Sequence, residues 1–302
     1  MTLSLEPTYT QSSLRVEPWR LLVGFELPGP LNMAIDEALL ESVMAGGAPV
    51  VRFYTWRPAA LSLGTNQASG EIDRAECEAR GFAVVRRLTG GRAVLHQHEL
   101  TYSVIAREND PRVSGGVVES YRKISAALVE GLQTLGASVS LAAPDRALLR
   151  AMSARRVAVL DEEGEAQAGS SAVCFDAASA YELTAGGKKL VGSAQARRGG
   201  ALLQHGSILL DIDWDAWVSV FAYASEAGKQ RAYTKLPMRM TSLRDEVGRV
   251  VTPEEALAAL VPAFERVLSI SLEGAAMDPL EEATARKLAA EKYGSEAWTA
   301  RR

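Results

Sequence analysis

Two cysteine thiols are the strongest nucleophiles that the sequence offers. Cys77 and Cys174 lie far apart and without Cys-x-x-Cys spacing, which indicates neither a zinc site nor a disulfide framework. Cys174 stands in CFDAASAYEL, between a polar stretch and a strand-like run, whereas Cys77 lies among charged residues typical of a helix. A lone cysteine is often only a small buried apolar residue. The residues alone therefore leave Cys174 as either a nucleophile or a core thiol, and favour an inert Cys77.

A basic, glycine-rich block, RRLTGGRAVLHQHELTYS, covers residues 86–103. Its glycine pair permits positive φ and a close approach of a ligand to the backbone, while its arginines supply fixed positive charge. A charged β-hairpin with a Gly-Gly turn explains the same pattern equally well, so spacing alone leaves both interpretations open. No carboxylate or thiolate spacing supports metal ligation by the three histidines of the chain, and we predict no metal site: His96, His98 and His205.

The elements that must position these residues alternate between helix and strand. A helix-forming apolar period is followed by runs rich in β-branched and aromatic residues, and the glycine pair separates two of those runs. The predicted helices cover residues 31–45 and 117–135, and the predicted strands cover 50–56, 83–87 and 93–106.

The second half of the chain predicts a β-meander and two closing helices. Short strand-like pieces separated by glycine pairs predict the meander over residues 181–212. Thr252 and Asp278 are each followed by proline and by an acid at the third helical position, which is typical of a helix start. Residues 145–171 show little periodicity, and we interpret them as a mobile connection that leads to Cys174.

Composition excludes several classes of protein. The 302 residues are 47% hydrophobic and 23% charged, which is ordinary for a globular protein. A net charge of -4 gives no support to bulk nucleic-acid binding, which needs a basic surplus. Residues 1–16 lack a signal pattern, and no apolar run approaches the roughly 18 residues needed to span a bilayer. We therefore expect a soluble, cytoplasmic protein.

Two sequence blocks carry a resemblance to a known superfamily. RRLTGGRAVLH (86–96) and KKLVGSAQARRGGALLQHGSI (188–208) resemble, in order and separation, the two signature blocks of the biotin/lipoate protein ligases. The resemblance implies an α+β fold, a mixed β-sheet with flanking helices. It further implies a biotin/lipoate ligase-like catalytic domain over residues 19–250 and a small C-terminal helical extension over residues 251–302.

Within that superfamily the chain is most similar to the cysteine-dependent octanoyltransferases of the Gram-positive type. Lipoate ligases carry a third glycine in the first block, where this chain has Arg92, as the octanoyltransferases do. Their nucleophile lies in a cysteine, aromatic, aspartate context that maps onto Cys174. Their invariant lysine precedes an aliphatic pair and Gly-Ser, and maps onto Lys189 rather than Lys188. The resemblance therefore implies Cys174 and Lys189 as the catalytic residues.

The resemblance implies octanoyl transfer from octanoyl-acyl carrier protein, through a Cys174 thioester, to a lysine of a lipoyl-domain protein. The glycine cleavage H protein and a 2-oxoacid dehydrogenase E2 are the expected acceptors, and no ATP or other cofactor is expected. Lys189 would raise the thiolate fraction of Cys174. Backbone amides near Gly192 and Ser193 would hold the oxyanion, and Lys189 or His96 would take the proton of the acceptor amine.

The resemblance and the charge pattern also assign residues to substrate binding. A tunnel lined by residues such as Val94 and Leu95 would hold the octanoyl chain. Arg197, Arg198 and Arg87 would form a local basic patch for an acidic carrier protein. The complete set of predicted substrate-binding residues is Arg87, Gly90, Gly91, Arg92, Val94, His96, Gly192 and Ser193.

Three other functions remain open at this point. An ATP-dependent lipoate-protein ligase would activate its acid as an adenylate, which Arg92 and the context of Cys174 argue against. An octanoyl amidotransferase between lipoyl domains also uses a cysteine, in a different sequence context. A non-catalytic acyl- or lipoyl-binding protein would have no need of Cys174, Lys189 and the glycine turn together.

Overall fold

The computed structural model describes residues 15–141 and 182–301. Cys174 and the predicted connection over residues 145–171 lie outside these described residues.

A large mixed sheet forms the centre of the fold. Its strands are β1 (Glu17–Leu27), β2 (Val50–Trp56), β6 (Glu99–Arg107), β7 (Val139–Leu141), β8 (Leu183–Ala185), β9 (Lys188–Arg198), β10 (Ala201–Leu209) and β11 (Ile270–Gly274). In the described part of the chain their order is β11-β1-β2-β6-β10-β9-β8-β7. β1 pairs in parallel with both β2 and β11, and the other neighbours are antiparallel.

A smaller sheet lies beside the large one. It consists of β3 (Ala60–Leu63), β4 (Ala83–Arg86) and β5 (Val94–His96), with β3 in the middle. β3 runs parallel to β4 and antiparallel to β5. The glycine pair therefore connects two strands that do not pair with each other.

Helices cover the sheets, and most of those in the described ranges begin after a residue whose side chain caps the first turn. They are α1 (Gly29–Met44), α2 (Arg74–Ala79), α3 (Val117–Thr134), α4 (Trp214–Ser219), α5 (Glu226–Arg239), α6 (Leu243–Val247), α7 (Pro253–Leu268), α8 (Pro279–Leu288) and α9 (Glu296–Thr299). The side chains of Thr252 and Asp278 accept backbone N–H bonds at the starts of α7 and α8, as the sequence predicts. None of the helices in the described ranges is long and apolar enough to cross a membrane.

Two expectations about the fold need correction. The predicted strand over residues 93–106 is interrupted at residues 97–98, because β5 and β6 belong to different sheets. A plain hairpin around the Gly-Gly turn is therefore wrong. The segment after residue 250 also supplies a strand, β11, which extends the large sheet beside β1. The mixed sheet, the flanking helices and the meander of β8, β9 and β10 are confirmed; a domain boundary at residue 250 stays a prediction.

Candidate active site

A pocket that is partly open to solvent lies between the two sheets. Strands of both sheets contribute to it, together with the start of α1 and the loop that follows β4. Its described lining residues are Met33, Tyr54, Trp56, Ser62, Arg87, Gly91, Val94, His96, Thr101, Gly192, Ser193, Ala194, His205, Gly206 and Ser207.

The loop of residues 88–92, which follows β4, is held in place by the buried guanidinium of Arg87. One terminal nitrogen donates to the carbonyl oxygens of Gly90 and Arg92, at 2.8 and 2.7 Å. The other donates to the carbonyl of Ser62 on β3, at 2.9 Å. Because its donors are directed to backbone carbonyls, Arg87 fixes the shape of the loop.

Two glycines let this loop lie directly against the end of β3. Gly91 has φ +95°, a conformation that favours glycine. A Cβ at Gly64 would lie 1.9 Å from the carbonyl oxygen of Gly91. Any side chain at position 64 would therefore push the loop out of place.

Arg92, the residue that separates this chain from the three-glycine pattern, is not among the residues that line the described pocket. Its guanidinium pairs with Glu71 at 3.0 Å, and both side chains are partly exposed. This pair ties the loop to the short 3₁₀ turn Ser69–Glu71.

His205 connects the pocket to a buried carboxylate on α1. Its Nδ1 lies 2.9 Å from Oδ2 of Asp36, and its Nε2 lies 2.7 Å from Oγ1 of Thr89. An ionised carboxylate only accepts, so a neutral His205 carries its proton on Nδ1 and leaves Nε2 to accept from Thr89. Arg87 Nε in turn donates to Thr89 Oγ1 at 3.2 Å.

Asp36 is itself the centre of a buried polar cluster. Arg52 donates to its Oδ1 at 2.7 Å, Tyr54 to its Oδ2 at 2.9 Å, and Ser103 to its Oδ1 at 3.1 Å. Burial opposes ionisation of Asp36, but Arg52 and His205 outweigh it and lower the pKa of the carboxyl below its ordinary value. Asp36 is therefore a fixed negative charge behind His205.

His96 lies in a second, similar arrangement, in which a hydroxyl group contacts both the histidine and Arg87. Its Nε2 lies 2.8 Å from Ser62 Oγ, which also accepts from Arg87 at 3.2 Å. Its Nδ1 is 3.6 Å from Glu99, too far for a hydrogen bond, and the ring stacks on Trp56 with 4.0 Å between centroids. Burial lowers the pKa of His96 against the opposing effect of Glu99. Arg87 therefore donates to both hydroxyl groups that contact the histidines: Thr89 Oγ1 beside His205, and Ser62 Oγ beside His96.

The opposite wall of the pocket is formed by β9 and β10. Gly206 pairs with Ser193, and a Cβ at Gly206 would lie 2.4 Å from Ser193 Oγ and 2.7 Å from the carbonyl oxygen of Gly192. Tyr102 donates to Ser193 Oγ at 2.9 Å and accepts from Gln204 at 3.0 Å. Position 206 therefore requires glycine, and the Ser193 hydroxyl is oriented from outside the pocket.

Lys189 lies at the beginning of β9, three residues before Gly192, a span of about 10 Å along the strand. Its ammonium is buried and donates to the carboxylate of Glu182. Its carbonyl accepts from the N–H of Thr241 at 3.0 Å. Lys189 is not among the residues that line the described pocket.

The structure thus brings together six of the predicted residues around one pocket: Arg87, Gly91, Val94, His96, Gly192 and Ser193. Gly90 and Arg92 lie in the adjoining loop but outside the lining. Leu95, expected in a tunnel wall, instead packs in the core with Leu61 and Trp217. The placement of Cys174 is outside the described residues.

The arginines of the expected basic patch differ in their exposure. Arg87 is buried, and Arg197 is bound to Glu108 at 3.3 Å and to Ser120 Oγ at 2.8 Å. Arg198 pairs with the buried Glu37 at 3.2 Å. Arg87 therefore lies outside a surface patch, whereas Arg198 is 52% exposed, and binding of a carrier protein by Arg197 and Arg198 stays a prediction.

Sequence reasoning did not find the Asp36 and His205 pair. Asp36 follows the start of a predicted helix, where an acid is ordinary, and the sequence offers His205 only as a possible metal ligand. A signal was nevertheless present: Asn32 and Asp36 are one helical turn apart among apolar residues, and both prove to be fully buried. Within residues 15–141 and 182–301 no group of His, Cys, Asp and Glu is arranged to hold a metal ion.

Comparisons with known proteins agree with this architecture. Residues 28–265 match the family model described as the lipoyl protein ligase A/B catalytic domain. The octanoyltransferase LipM of Brevibacillus brevis is 40% identical over 95% of this chain and 100% of its own length. The octanoyltransferase LipM of Geobacillus kaustophilus is 41% identical over 95% of this chain and 99% of its own.

Solved structures of ligases share the fold. A chain from the archaeal lipoylation system of Thermoplasma acidophilum, a bipartite lipoate protein ligase with its E2 lipoyl domain, superposes with TM-score 0.74 and 25% identity. That match covers 95% of this chain and 97% of the other. A lipoate-protein ligase A bound with ATP gives TM-score 0.72 and 27% identity, covering 94% of this chain and 98% of the other.

Proposed function

Because the chain belongs to the lipoyl protein ligase A/B catalytic-domain family, we propose that it is an octanoyltransferase of lipoate biosynthesis. In this proposal it transfers octanoyl from octanoyl-acyl carrier protein to a lysine of a lipoyl domain. One observation carries the choice of reaction: octanoyltransferases match nearly the whole chain at 40–41% identity, whereas the superposed ligases reach 25–27%.

The reaction proceeds in two exchanges at Cys174. The Cys174 thiolate attacks the carbonyl carbon of the donor thioester, a new C–S bond forms, and the donor thiol leaves. The acceptor lysine, as a free amine, then attacks the acyl-Cys174 carbonyl; the C–N bond forms, the Cys174 thiolate leaves, and the amine proton passes to a base. Exchange of a thioester for an amide is downhill, so neither step requires ATP.

The described pocket is suited to the octanoyl chain. Trp56, Val94 and Met33 offer apolar surface, and each buried CH₂ contributes roughly 0.8 kcal/mol. Seven carbons beyond the carbonyl would thus contribute on the order of 5 kcal/mol to acyl binding. Arg87 holds the 88–92 loop in place through the carbonyls of Gly90 and Arg92, which supports a preformed space for the chain.

The start of β9 is suited to the reacting carbonyl. Among the described strands, β8 pairs with β9 only as far as Val191, while β10 pairs with it further along. Beyond Val191, the amide groups of β9 that face away from β10 therefore pair with neither β8 nor β10. This supports an oxyanion role for the amides near Gly192 and Ser193. Lys189, at the same end of the strand, is the cation proposed to raise the thiolate fraction of Cys174.

Transfer without ATP tests this proposal. The purified protein is incubated with octanoyl-acyl carrier protein and a lipoyl-domain acceptor, and the acceptor is analysed by intact mass. We expect one octanoyl group on the acceptor lysine. Two parallel reactions replace the donor with free octanoate plus ATP and Mg²⁺, or with an octanoylated lipoyl domain. Modification only with ATP would establish a ligase, and modification only from the octanoylated domain would establish an amidotransferase.

A further inference from the structure

Helix α5 has an unusually small buried face. Of its fourteen residues only Leu236 is buried. Arg231, Lys235 and Arg239 are exposed and follow one another at intervals of four, so they share one side of the helix. Met238 lies on the same side and is 70% exposed. The exposed side of α5 is therefore a row of cations around one apolar side chain.

Two of these cations, Arg231 and Lys235, are not explained by contacts within the described structure. Among the described residues neither Arg231 nor Lys235 forms an ion pair. The acid on the preceding helix, Asp215, already binds Arg80 at 2.5 Å and Tyr233 at 2.7 Å. The one acid of α5, Glu226, is at its opposite end.

Helix stability alone would not favour this arrangement. A cation in the last turn complements the helix dipole, which accounts for Arg239. Arg231 lies two turns earlier, and like charges four residues apart destabilise a helix. The exposed Arg231 and Lys235, one turn apart in a chain of net charge -4, are therefore better explained by an external anionic partner.

The row ends beside the proposed reaction centre. α5 ends at Arg239, and Met240, the next residue, forms a β-bridge with Lys189. The N–H of Thr241 donates to the carbonyl of Lys189 at 3.0 Å. A protein bound along α5 would therefore reach the Lys189 end of β9.

We propose that the exposed side of α5 is the docking surface for the acidic carrier protein that delivers the acyl thioester, an inference that rests on the proposed function. Exposed charges act mainly on the rate of encounter and on its salt dependence, whereas buried pairs slow dissociation. A donor must leave before the acceptor lysine arrives, so a contact made by exposed cations suits the donor. Met238 would give that contact a small apolar centre.

The test compares two double charge reversals of equal size. Arg231→Glu/Lys235→Glu changes the α5 surface, and Arg286→Glu/Lys287→Glu changes exposed cations on α8. Binding of fluorescently labelled octanoyl-acyl carrier protein is measured by anisotropy at about 0.01 and about 0.3 M salt. We expect Kd to rise about tenfold or more for the α5 variant at low salt, with a smaller difference at high salt, and to change little for the α8 variant.

Kinetics separate the donor from the acceptor. For the α5 variant we expect KM to rise for the carrier-protein donor, but not for octanoyl-pantetheine or for the lipoyl-domain acceptor. Equal weakening by both variants, or a rise in acceptor KM alone, would overturn the docking surface. Thermal unfolding of both variants verifies folding. If the wild-type protein transfers no octanoyl from any donor, the proposed function fails, while the anisotropy comparison still decides the docking surface.

Discussion

Nδ1 of His205 lies 2.9 Å from Oδ2 of Asp36, so a pocket histidine on β10 is fixed by a carboxylate on α1. The same carboxylate binds Arg52, Tyr54 and Ser103. Helix, sheet and pocket therefore share one buried polar cluster, in which each partner depends on the charge of Asp36.

Asp36→Asn should destabilise the protein. The change keeps the size of the side chain but removes the charge that pairs with the buried Arg52 guanidinium, and breaking a buried pair in this way costs about 3 to 5 kcal/mol. Urea unfolding measures the loss. Glu26→Gln, which breaks the exposed pair with Arg57, is the control and should change the free energy of unfolding little. Equal losses for the two variants would show that the cluster adds nothing beyond a surface pair.

Stability should fall as pH drops below about 6.5, in part because of His96. Burial lowers the pKa of His96 from its ordinary value of 6.5, so the unfolded chain binds this proton more tightly than the folded protein. The contribution is absent well above pH 6.5 and reaches at most about 1.4 kcal/mol per pH unit below it. Urea unfolding at several pH values measures the slope. His96→Gln should flatten it, and an unchanged slope in that variant would contradict the contribution of His96.

Gly64→Ala should reduce activity by about tenfold or more, because a Cβ 1.9 Å from the Gly91 carbonyl oxygen must displace the pocket loop. Steady-state transfer kinetics measure the effect. Gly70→Ala is the matched control, since a Cβ there has no neighbour within 4 Å in the described structure. Retention of full activity by Gly64→Ala would mean that the loop position is not needed for transfer.

Substitutions of Lys189 and Glu182 should separate the contribution of Lys189 to stability from its contribution to catalysis. Lys189→Met leaves the buried Glu182 without this cation, and we expect a loss of about 3 kcal/mol in the free energy of unfolding. The double variant Lys189→Met/Glu182→Gln should regain part of that stability. Transfer should remain about 10²-fold below wild type in both, because the proposed cation is absent. Recovery of activity together with stability would assign Lys189 a structural role only.

Most of the fold could be predicted from local patterns. The helices and the meander follow from apolar periodicity, capping residues and glycine pairs, all of which act within a few residues. The assignment of β5 and β6 to different sheets could not be predicted. It depends on the pairing of β3 with both β4 and β5, and these long-range contacts have no local signal. β11 could not be predicted for the same reason, because it is a short strand that depends on pairing with the distant β1.

The residues of the candidate site also divide into those that the sequence predicts and those that only the folded structure reveals. The glycine loop and the pocket wall of β9 carry recognisable blocks, so Gly91, Val94 and Ser193 could be named in advance. Asp36 and His205 are 169 positions apart, and only the packing of α1 against β10 reveals their bond. The internal pairing of Arg197 and Arg198 was equally hidden, because a run of arginines does not show which acids fold against it.

The most direct test of the account is the intact mass of the protein after incubation with octanoyl-acyl carrier protein in the absence of ATP. The wild type should gain one octanoyl group, and hydroxylamine should remove it, because a thioester is labile to that reagent. Cys77→Ala should behave in the same way, since burial raises the pKa of the Cys77 thiol to about 11 and leaves it unreactive. Cys174→Ala should gain no mass and transfer no octanoyl, whereas transfer by Cys174→Ala at a rate close to wild type would contradict the covalent mechanism.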